Sequence, residues 1–571
     1  MKQVLFYVLA LSAVILTGCQ KEYEMPVITA PGSTNVEISK SVDLTFNFTA
    51  DGGYKSSTLV ATNGNAVIKT SATAGLTSGN VVVTFTAGTT PGAGSVTLTV
   101  IDNESQTESA TAVLTIYEEG APKVTSPSNT AVIVTRSADL TFAYSAEGGY
   151  KSSVLATTGG TAVIKTDGAA NSTSGNVVVT YTAARQSGAG SVTITMTDNN
   201  NKTGNGVAVL NVEAFPTTSV TASISENTTW ETGEVYILEG RITVLSGVTL
   251  TIQPGVIIKG REGSGSNATA LMVARGSKLI AEGRADSPII FTSVADQIVP
   301  GEIASPNLEP TVNGLWGGLL ILGKAPISAE ADAMQIEGIP ASDLNGLYGG
   351  TDLTDNSGII KYVSIRHGGA NIGEGNEING LTLGGVGSGT IIENIEIVSN
   401  QDDGIEWFGG TVNVKNAIIW NTGDDAIDTD QSWGGTLDNF IVINPGDECF
   451  ELDGPEGTMV AKHIIKNGSV KAGNAEGLVD LDANSNVDMD KIYFFGLKSG
   501  QDFDELPTQY TCSFTNFQAT LPANTLITDF FKKGSDLFTT VVAAGARSVG
   551  ANIPDFQGWS WTSASGSLTG F

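Results

Sequence analysis

Three features of the sequence predict an all-β chain: two tandem Ig-like β-sandwiches, then a right-handed parallel β-helix with a partly helical C-terminal cap. A block of residues recurs once at a constant offset. Short apolar runs then follow one another at close spacing, and stretches with helical periodicity are scarce.

The repeat comes first. Gly52-Gly53-Tyr54-Lys55-Ser56-Ser57 returns as Gly148-Gly149-Tyr150-Lys151-Ser152-Ser153, an offset of 96 residues. Thr77-Ser78-Gly79-Asn80-Val81 returns at Thr173, and Gly92-Ala93-Gly94-Ser95 at Gly188, with the same offset. A constant offset without gaps means two copies of one domain, over 27–118 and 122–214. Each holds alternating strands such as Val81-Val82-Val83-Thr84-Phe85, separated by turn residues, which suits an Ig-like sandwich. Such tandem domains serve as a stalk, with sugar binding as the alternative.

From residue 218 the pattern changes to Val235-Tyr236-Ile237-Leu238, Ile242-Thr243-Val244, Thr249-Leu250-Thr251-Ile252 and Val256-Ile257-Ile258. It continues through Ala270-Leu271-Met272-Val273 and Ile289-Ile290-Phe291-Thr292. Short strands with Gly, Asn and Asp corners and no crossover helices are what a parallel β-helix requires, here over 218–511. The last stretch, 512–571, contains Asp529-Phe530-Phe531-Lys532-Lys533 and an alanine-rich run and is expected to cap it.

Charge and composition narrow the function. The chain has 571 residues, 29 basic against 59 acidic, for a formal net charge of −30. It lacks the basic patches that phosphate binding needs, so nucleic acid is excluded as a partner. Cysteines occur at 19, 449 and 512 only, which leaves Cys449 and Cys512 as one possible pair and rules out a disulfide scaffold. Two histidines, His367 and His463, are too few for a histidine-rich zinc site.

Residues 1–18 carry Lys2, an apolar run from Val4 to Leu16 and a terminal Leu16-Thr17-Gly18 before Cys19. The apolar run is too short for a membrane span and reads as a signal peptide. Leu-Thr-Gly-Cys resembles the bacterial lipobox, which implies that Cys19 is acylated and that 19–26 is an anchor and linker. Gln20-Lys21-Glu22-Tyr23-Glu24 is similar to the tag that sends Bacteroidota lipoproteins to the outer face of the outer membrane. The protein is therefore expected at the cell outer membrane, lipid-anchored and facing outward.

Within the β-helix, Trp230, Tyr236-Ile237-Leu238-Glu239-Gly240, Ile252-Gln253-Pro254-Gly255 and Trp316-Gly317-Gly318-Leu319 resemble a β-helix lipoprotein family common in Bacteroidota. So do the stretch from Asn376-Glu377 to Gly387 and Glu406-Trp407-Phe408-Gly409-Gly410. The resemblance implies the fold and a surface location, and no reaction.

The chemistry concentrates between 401 and 482. Gly404-Ile405-Glu406-Trp407-Phe408, Ala426-Ile427-Asp428-Thr429-Asp430, Cys449-Phe450-Glu451-Leu452-Asp453 and Leu478-Val479-Asp480-Leu481-Asp482 align at spacings of 22, 23 and 29 residues. Alternation turns the apolar residues to one face and the acidic ones to the other. Glu406, Asp428, Glu451 and Asp480 then form one outward column, with Asp430, Asp453 and Asp482 beside it. The preceding turns add Asp402, Asp403, Asp424, Asp425, Asp447 and Glu448. Coils stack about 4.8 Å apart, where bare carboxylates repel by about 3 kcal/mol per pair at an effective dielectric of 20. Three readings explain the column: calcium bridging between coils, a glycosidase carboxyl pair, or a solvated acidic face.

Asn421-Thr422-Gly423-Asp424-Asp425-Ala426-Ile427 resembles the paired-aspartate region of polygalacturonase-type β-helices. The Gly-His-Gly and Arg-x-Lys elements of those enzymes are absent, and His463 is flanked by Lys462 and Ile464. Trp407 falls in the inward phase, and His367, ahead of Glu374 and Glu377, reads as a structural residue. Trp433, on the turn after the second acidic strand, is the candidate for stacking on a sugar. The function expected is calcium-dependent, non-catalytic binding of an extracellular glycan or a partner in nutrient capture, with a TonB-dependent transporter or SusD-like protein as partner. A calcium-dependent polysaccharide hydrolase or lyase is the alternative, and an adhesin the third.

Overall fold

The computed structural model describes residues 23–370, 378–503 and 505–571. The expected signal peptide, Cys19 with the tag residues 20–22, and Glu374 and Glu377 lie outside that range. The chain divides into two compact units, Met1–Ala214 and Phe215–Phe571. No helix among the described residues is long and apolar enough to cross a membrane.

The first unit holds two sandwiches of four strands on four. In the first, one sheet runs Val27–Thr29, Ser41–Thr49, Ser78–Ala87, Gly64–Thr70, and the other Thr34–Glu37, Thr107–Tyr117, Gly92–Asp102, Tyr54–Thr62. Every strand of the second sandwich starts 96 residues later, from Lys123–Thr125 to Thr203–Glu213. Alternation buries Phe46, Phe85, Val96, Leu98 and Leu114 between the sheets. The recurring Gly-Gly-Tyr has a steric cause. A Cβ on Gly52 or Gly148 would stand 2.6 or 2.4 Å from the buried carboxylate of Asp102 or Asp198. Tyr54 and Tyr150 turn inward just beyond and close their hydroxyls onto Ser57 and Ser153.

The second unit is a parallel β-helix. Its long sheet of 16 strands runs from Thr217–Val220 through Gly358–Arg366, Ile391–Val398, Asn413–Trp420, Thr436–Ile443, His463–Lys471 and Val487–Phe495 to Thr539–Val541. Its short sheet has eight strands: Ile242–Val244, Leu271–Val273, Leu319–Leu322, Leu381–Gly384, Ile405–Phe408, Ile427–Asp430, Glu451–Leu452 and Asp480–Leu481. Inward residues of both sheets form one continuous core, Leu381, Ile405, Ile427 and Leu452 among them.

Corners are held by asparagine. Asn394, Asn416 and Asn439 bend successive long-sheet strands with φ of 58°, 58° and 63°. Asn416 Nδ2 donates to Asn394 Oδ1 at 2.9 Å, and Asn439 Nδ2 to Asn416 Oδ1 at 2.7 Å. Asparagine tolerates this left-handed backbone, and its amide stacks in register on the next.

Two segments cover the outside of the coils. The chain between Leu322 and Gly358 carries an antiparallel hairpin, Met334–Gln335 with Leu347–Tyr348. Ile327, Ile336, Ile339 and Tyr348 from this insertion pack on Met272, Leu320, Leu322 and Phe408, the outward residues of the short sheet. The stretch from 512 adds Ser513–Thr515, Phe517–Ala519 and Thr539–Val541 to the long sheet before its short turns and one α-helix, Trp561–Ala564. Phe517 and Phe531 continue the core stack of Phe494 and Phe503, so coiling outlasts residue 511. The final residues return to the outer face of the long sheet, where Phe556, Trp559, Trp561 and Leu568 bury Val398, Ile418 and Ile441. Glu396 fastens them, accepting from Trp561 N, Thr562 N, Thr562 Oγ1 and Ser364 Oγ. Arg366, fully buried, balances its charge at 3.6 Å and lies over the Trp561 ring.

The asparagine corner is testable. Asn416→Ala removes two ladder hydrogen bonds and places alanine in left-handed backbone, a loss of about 2–3 kcal/mol in denaturant unfolding. Asn416→Gly relieves the backbone term and should recover about 1 kcal/mol of it. Equal losses in the two variants would show that backbone strain plays no part.

A buried carboxylate cluster on the short sheet

The four acidic strands lie in register. Glu406 pairs with Asp428, Asp428 with Glu451, Glu451 with Asp480, and Phe408 with Asp430. Ile405 and Trp407 are in the core, so the carboxylates face away from it. Facing away is not exposure, however. Glu406 is 5 % exposed, Asp428 9 %, Asp403 7 % and Asp425 4 %. The solvated-face reading fails at these four and holds only at Asp480 and Asp482, which are exposed. Asp430, Glu451 and Asp453 are half-buried, as are Asp402, Asp424, Asp447 and Glu448 in the turns.

The covering insertion explains this burial. Tyr348 Oη donates to Gln431 Oε1 at 2.9 Å, and Gln431 Nε2 to Glu456 Oε2 at 3.0 Å. Ser328 N donates to Gln431 O and Gly457 N to Ser328 O, which ties the insertion to the 453–460 loop of a later coil. From the preceding turn Asn379 donates to Glu406 Oε2, and its own Oδ1, fully buried, has no hydrogen-bond partner. None of these contacts could be read from the ladder's spacing. Sequence spacing therefore gives no sign that Asn379, Tyr348, Glu456, or Glu337 at 3.5 Å from Asn379 Nδ2, are neighbours of the site.

Three groups of acids each bring one oxygen per residue within 4.8 Å of the others: Asp403/Glu406/Asp428, Asp402/Asp403/Asp424 and Asp424/Asp425/Asp447. A calcium ion about 2.4 Å from each ligand leaves those oxygens no more than about 4.8 Å apart, so the donors fit a hard divalent cation. Asp403, the member common to the first two groups, was expected only as a secondary acid.

Without a cation the cluster must hold protons. Burial, and then the charge of Asp428, drive Asp403 and Glu406 well above the usual carboxylate range. Glu406 hydrogen-bonds Asp428 as the proton-bearing partner, and burial followed by Glu451 raises Asp428 as well. Burial and a hydrogen bond to Glu451 carry Asp425 to about 11. Burial first, then neighbouring carboxylates, lift Glu448 to about 8, Asp430 to about 7 and Asp453 to about 6. Backbone amides relieve part of the crowding: Asp425 N donates to Asp403 Oδ1 at 2.9 Å, and Glu448 N to Asp425 Oδ1 at 2.5 Å.

The long sheet handles charge in the opposite way. Glu282, Lys361, Glu393, Lys415, Asp438, Lys466 and Asp490 pair strand to strand in that order, alternating in sign throughout. Lys361 reaches Glu393 at 3.1 Å and Lys466 reaches Asp438 at 3.7 Å. On the short sheet every charge that raises the carboxyls is another carboxylate.

Trp433 does not occupy the exposed turn position that its sequence context predicts. It is fully buried, stacked on Trp407 at 4.5 Å and on His463 at 5.2 Å, with Nε1 donating to Val412 O. Positive φ at Gln431 (52°) and Ser432 (61°) reverses the chain and turns the indole into the core. It cannot stack on a sugar. His463, pushed down to about 3 by burial, is a neutral core residue. His367 is buried too, with Nδ1 against Val312 O, and Trp407 lies in the core as its phase predicts. Cys449 and Cys512 are free thiols.

Residues 222–530 match the family described as a pectate-lyase-like beta-helix domain. Three solved structures are similar over about a third of the chain. The sialic-acid-binding region of a Streptococcus sanguinis adhesin is 8 % identical, covering 36 % of this chain and 83 % of its own, at a TM-score of 0.15. The titin domains Z1Z2 in complex with telethonin are 13 % identical, with 34 % and 99 % covered, at 0.15. The fibronectin(III)-like modules of Clostridium thermocellum CbhA are 13 % identical, with 33 % and 95 % covered, at 0.14. At these scores the likenesses carry no argument about function. The search of curated proteins found no match.

The raised carboxyls set a pH dependence. Each holds, when folded, a proton that the unfolded chain releases near pH 4, so stability is greatest below that pH. It is lost as pH rises through the folded values of about 6, about 7 and about 8 at Asp453, Asp430 and Glu448. In chelator the β-helix should lose stability between about pH 4 and pH 8, each group contributing about 1.4 kcal/mol per unit of raised pKa, and its melting temperature should fall accordingly. Asp430→Asn should flatten that fall and raise stability at the alkaline end. A melting temperature that rises over the same range would contradict the burial of the cluster.

Proposed function

The chain belongs to the family of pectate-lyase-like β-helix domains, and from that footing we propose that it is a calcium-dependent surface protein that binds an extracellular glycan or partner without cleaving it. The observation that carries the reading is the Asp403/Glu406/Asp428 group, three acids buried together with the orphan carbonyl of Asn379 beside them. The same chain alternates charge strand by strand on its other sheet, so like charge on the short sheet is not the fold's default. A divalent ion removes the repulsion, takes the place of the shared protons and accepts the Asn379 carbonyl as a further oxygen ligand. Asp402, Asp424, Asp425 and Asp447 extend the ligand supply along the turns, and half-buried Asp430, Glu451 and Asp453 form the rim a ligand would meet.

Leu16-Thr17-Gly18-Cys19 supports a lipid on Cys19, and Gln20-Lys21-Glu22-Tyr23-Glu24 supports a place on the outer membrane facing outward, in a Bacteroidota-type lipoprotein arrangement. A TonB-dependent transporter or SusD-like protein is the partner such a position suits. Attachment to a surface-borne glycan, as an adhesin, uses the same face.

The family description favours a second reading, a calcium-dependent polysaccharide lyase or hydrolase. Asp425, which keeps its proton beside Glu451, is the group that would serve as general acid. Against a lyase stands the lack of a base, since Lys462 pairs with Asp488 and Lys415 belongs to the alternating ladder of the long sheet.

Calcium a hundredfold above its Kd should stabilise the β-helix by about 2.7 kcal/mol, and magnesium should do so less well. Glu406→Gln combined with Asp428→Asn should abolish that response and raise the melting temperature in chelator, because two crowded acids are gone. Melting that ignores calcium in the wild type would refute the cation site. Incubation with uronic and neutral polysaccharides should release no reducing ends or unsaturated products, and turnover lost in Asp425→Asn would establish the enzyme instead.

A further inference from the structure

Each Ig-like repeat clamps the chain that enters it. In the second repeat Lys202 N donates to Asp198 Oδ1 at 2.8 Å while Lys202 Nζ holds Glu119 O, in the linker from the first repeat, at 3.1 Å. In the first repeat Gln106 N donates to Asp102 Oδ1 at 2.7 Å and Gln106 Nε2 holds Tyr23 O at 2.9 Å. Gln106 and Lys202, like Tyr23 and Glu119, are 96 residues apart, so the same loop grips the same point of the incoming chain. What enters the second repeat is another folded domain. With Cys19 as the lipidated residue, the first repeat's clamp at Tyr23 stands four residues from the anchor, at most about 14 Å away.

The surface around the two clamps differs as that contrast requires. At the first repeat, Met25 is 59 % exposed, Val27 62 % and Leu76 45 %. Leu76 belongs to this end because its carbonyl accepts from Tyr54 N, next to Gly53 and Asn103. The matching residues at the second repeat are Ala121, buried in the linker, Lys123 and Ser172. Apolar side chains thus appear at the base of the repeat that follows the anchor and are replaced by a small residue or polar ones where the neighbour is protein. Asp51, Glu104 and Glu24 outnumber Lys55 at this end, a negative balance that disfavours an anionic surface.

We propose that the clamp end of the first Ig-like repeat is a membrane-docking surface, on which Met25, Val27 and Leu76 rest in the interfacial region of zwitterionic phospholipid. The inference rests on the lipidation of Cys19. The anchor and the docking are separate contacts: the lipid holds the chain to the bilayer, and the clamp at Tyr23 fixes which face of the repeat meets it. The acylated Cys19 supplies the attachment, and the small apolar patch adds orientation, because a tethered surface meets the bilayer at high effective concentration.

The test uses the full-length lipidated protein, with Cys512→Ser as background, in phosphatidylcholine vesicles containing a lipid spin-labelled near its headgroup. A fluorophore placed through Leu76→Cys should be quenched several-fold more strongly than one placed through Ser172→Cys at the matching position of the second repeat. Equal quenching at the two sites, in protein that floats with the vesicles, overturns the docking while leaving the anchor intact. Wild-type protein that does not float overturns the anchor and the docking with it, whereas Cys19→Ala protein that still floats overturns the anchor alone. A second variant, Met25→Asp with Leu76→Asp, should leave flotation unchanged and reduce the quenching of a label at Lys55→Cys, beside the clamp; unchanged quenching there also contradicts the proposal.

Discussion

In-register parallel stacking is the constraint from which the β-helix follows. Each residue of a coil lies about 4.8 Å above its counterpart, so whatever a position contributes it contributes as a column. Apolar positions become the continuous core, with Ile405 on Ile427 and Trp407 beside Trp433. Corner positions become an asparagine ladder through Asn394, Asn416 and Asn439, each amide satisfying the next. Even the coil's girth is regulated this way, since Gly468 stands where a Cβ would meet the Phe440 ring at 2.1 Å.

Charged columns bring this constraint to function. Stacked like charges are costly at such spacing, and the long sheet avoids the cost by alternating acid and base from Glu282 to Asp490. The short sheet does not alternate, and it adds burial, which penalises ionised carboxyls more than repulsion does. The insertion before Gly358 supplies that burial by laying Ile336 and Tyr348 on the outer face next to Phe408. A cation-free cluster can meet these terms only by keeping protons, as the Glu406–Asp428 and Asp425–Glu451 hydrogen bonds do. A divalent ion meets them without protons.

Much of this organisation is legible in the sequence, and the illegible parts share a cause. The offset of 96 residues and the coil spacings of 22 and 23 are periodic, so the sandwiches, the β-helix and the register of Glu406 on Asp428 could be read directly. The asparagines at 394, 416 and 439 carry the same period, a signal present but unread. What no period encodes is coverage from outside the coils. The insertion comes from more than fifty residues before Glu406, so a column correctly assigned to the outer face was expected in water and is instead buried. Trp433 escaped for a local reason, since two consecutive residues in left-handed conformation turn it inward and neither is glycine.

The central claim is that the buried carboxylates exist to hold a divalent ion. Crystals grown with calcium, with an anomalous difference map at a wavelength where calcium scatters, test it most directly. The account predicts a peak among Asp403, Glu406 and Asp428, about 2.4 Å from an oxygen of each and within reach of Asn379 Oδ1. Carboxyl groups still hydrogen-bonded to one another in saturating calcium, with no peak between them, would contradict it.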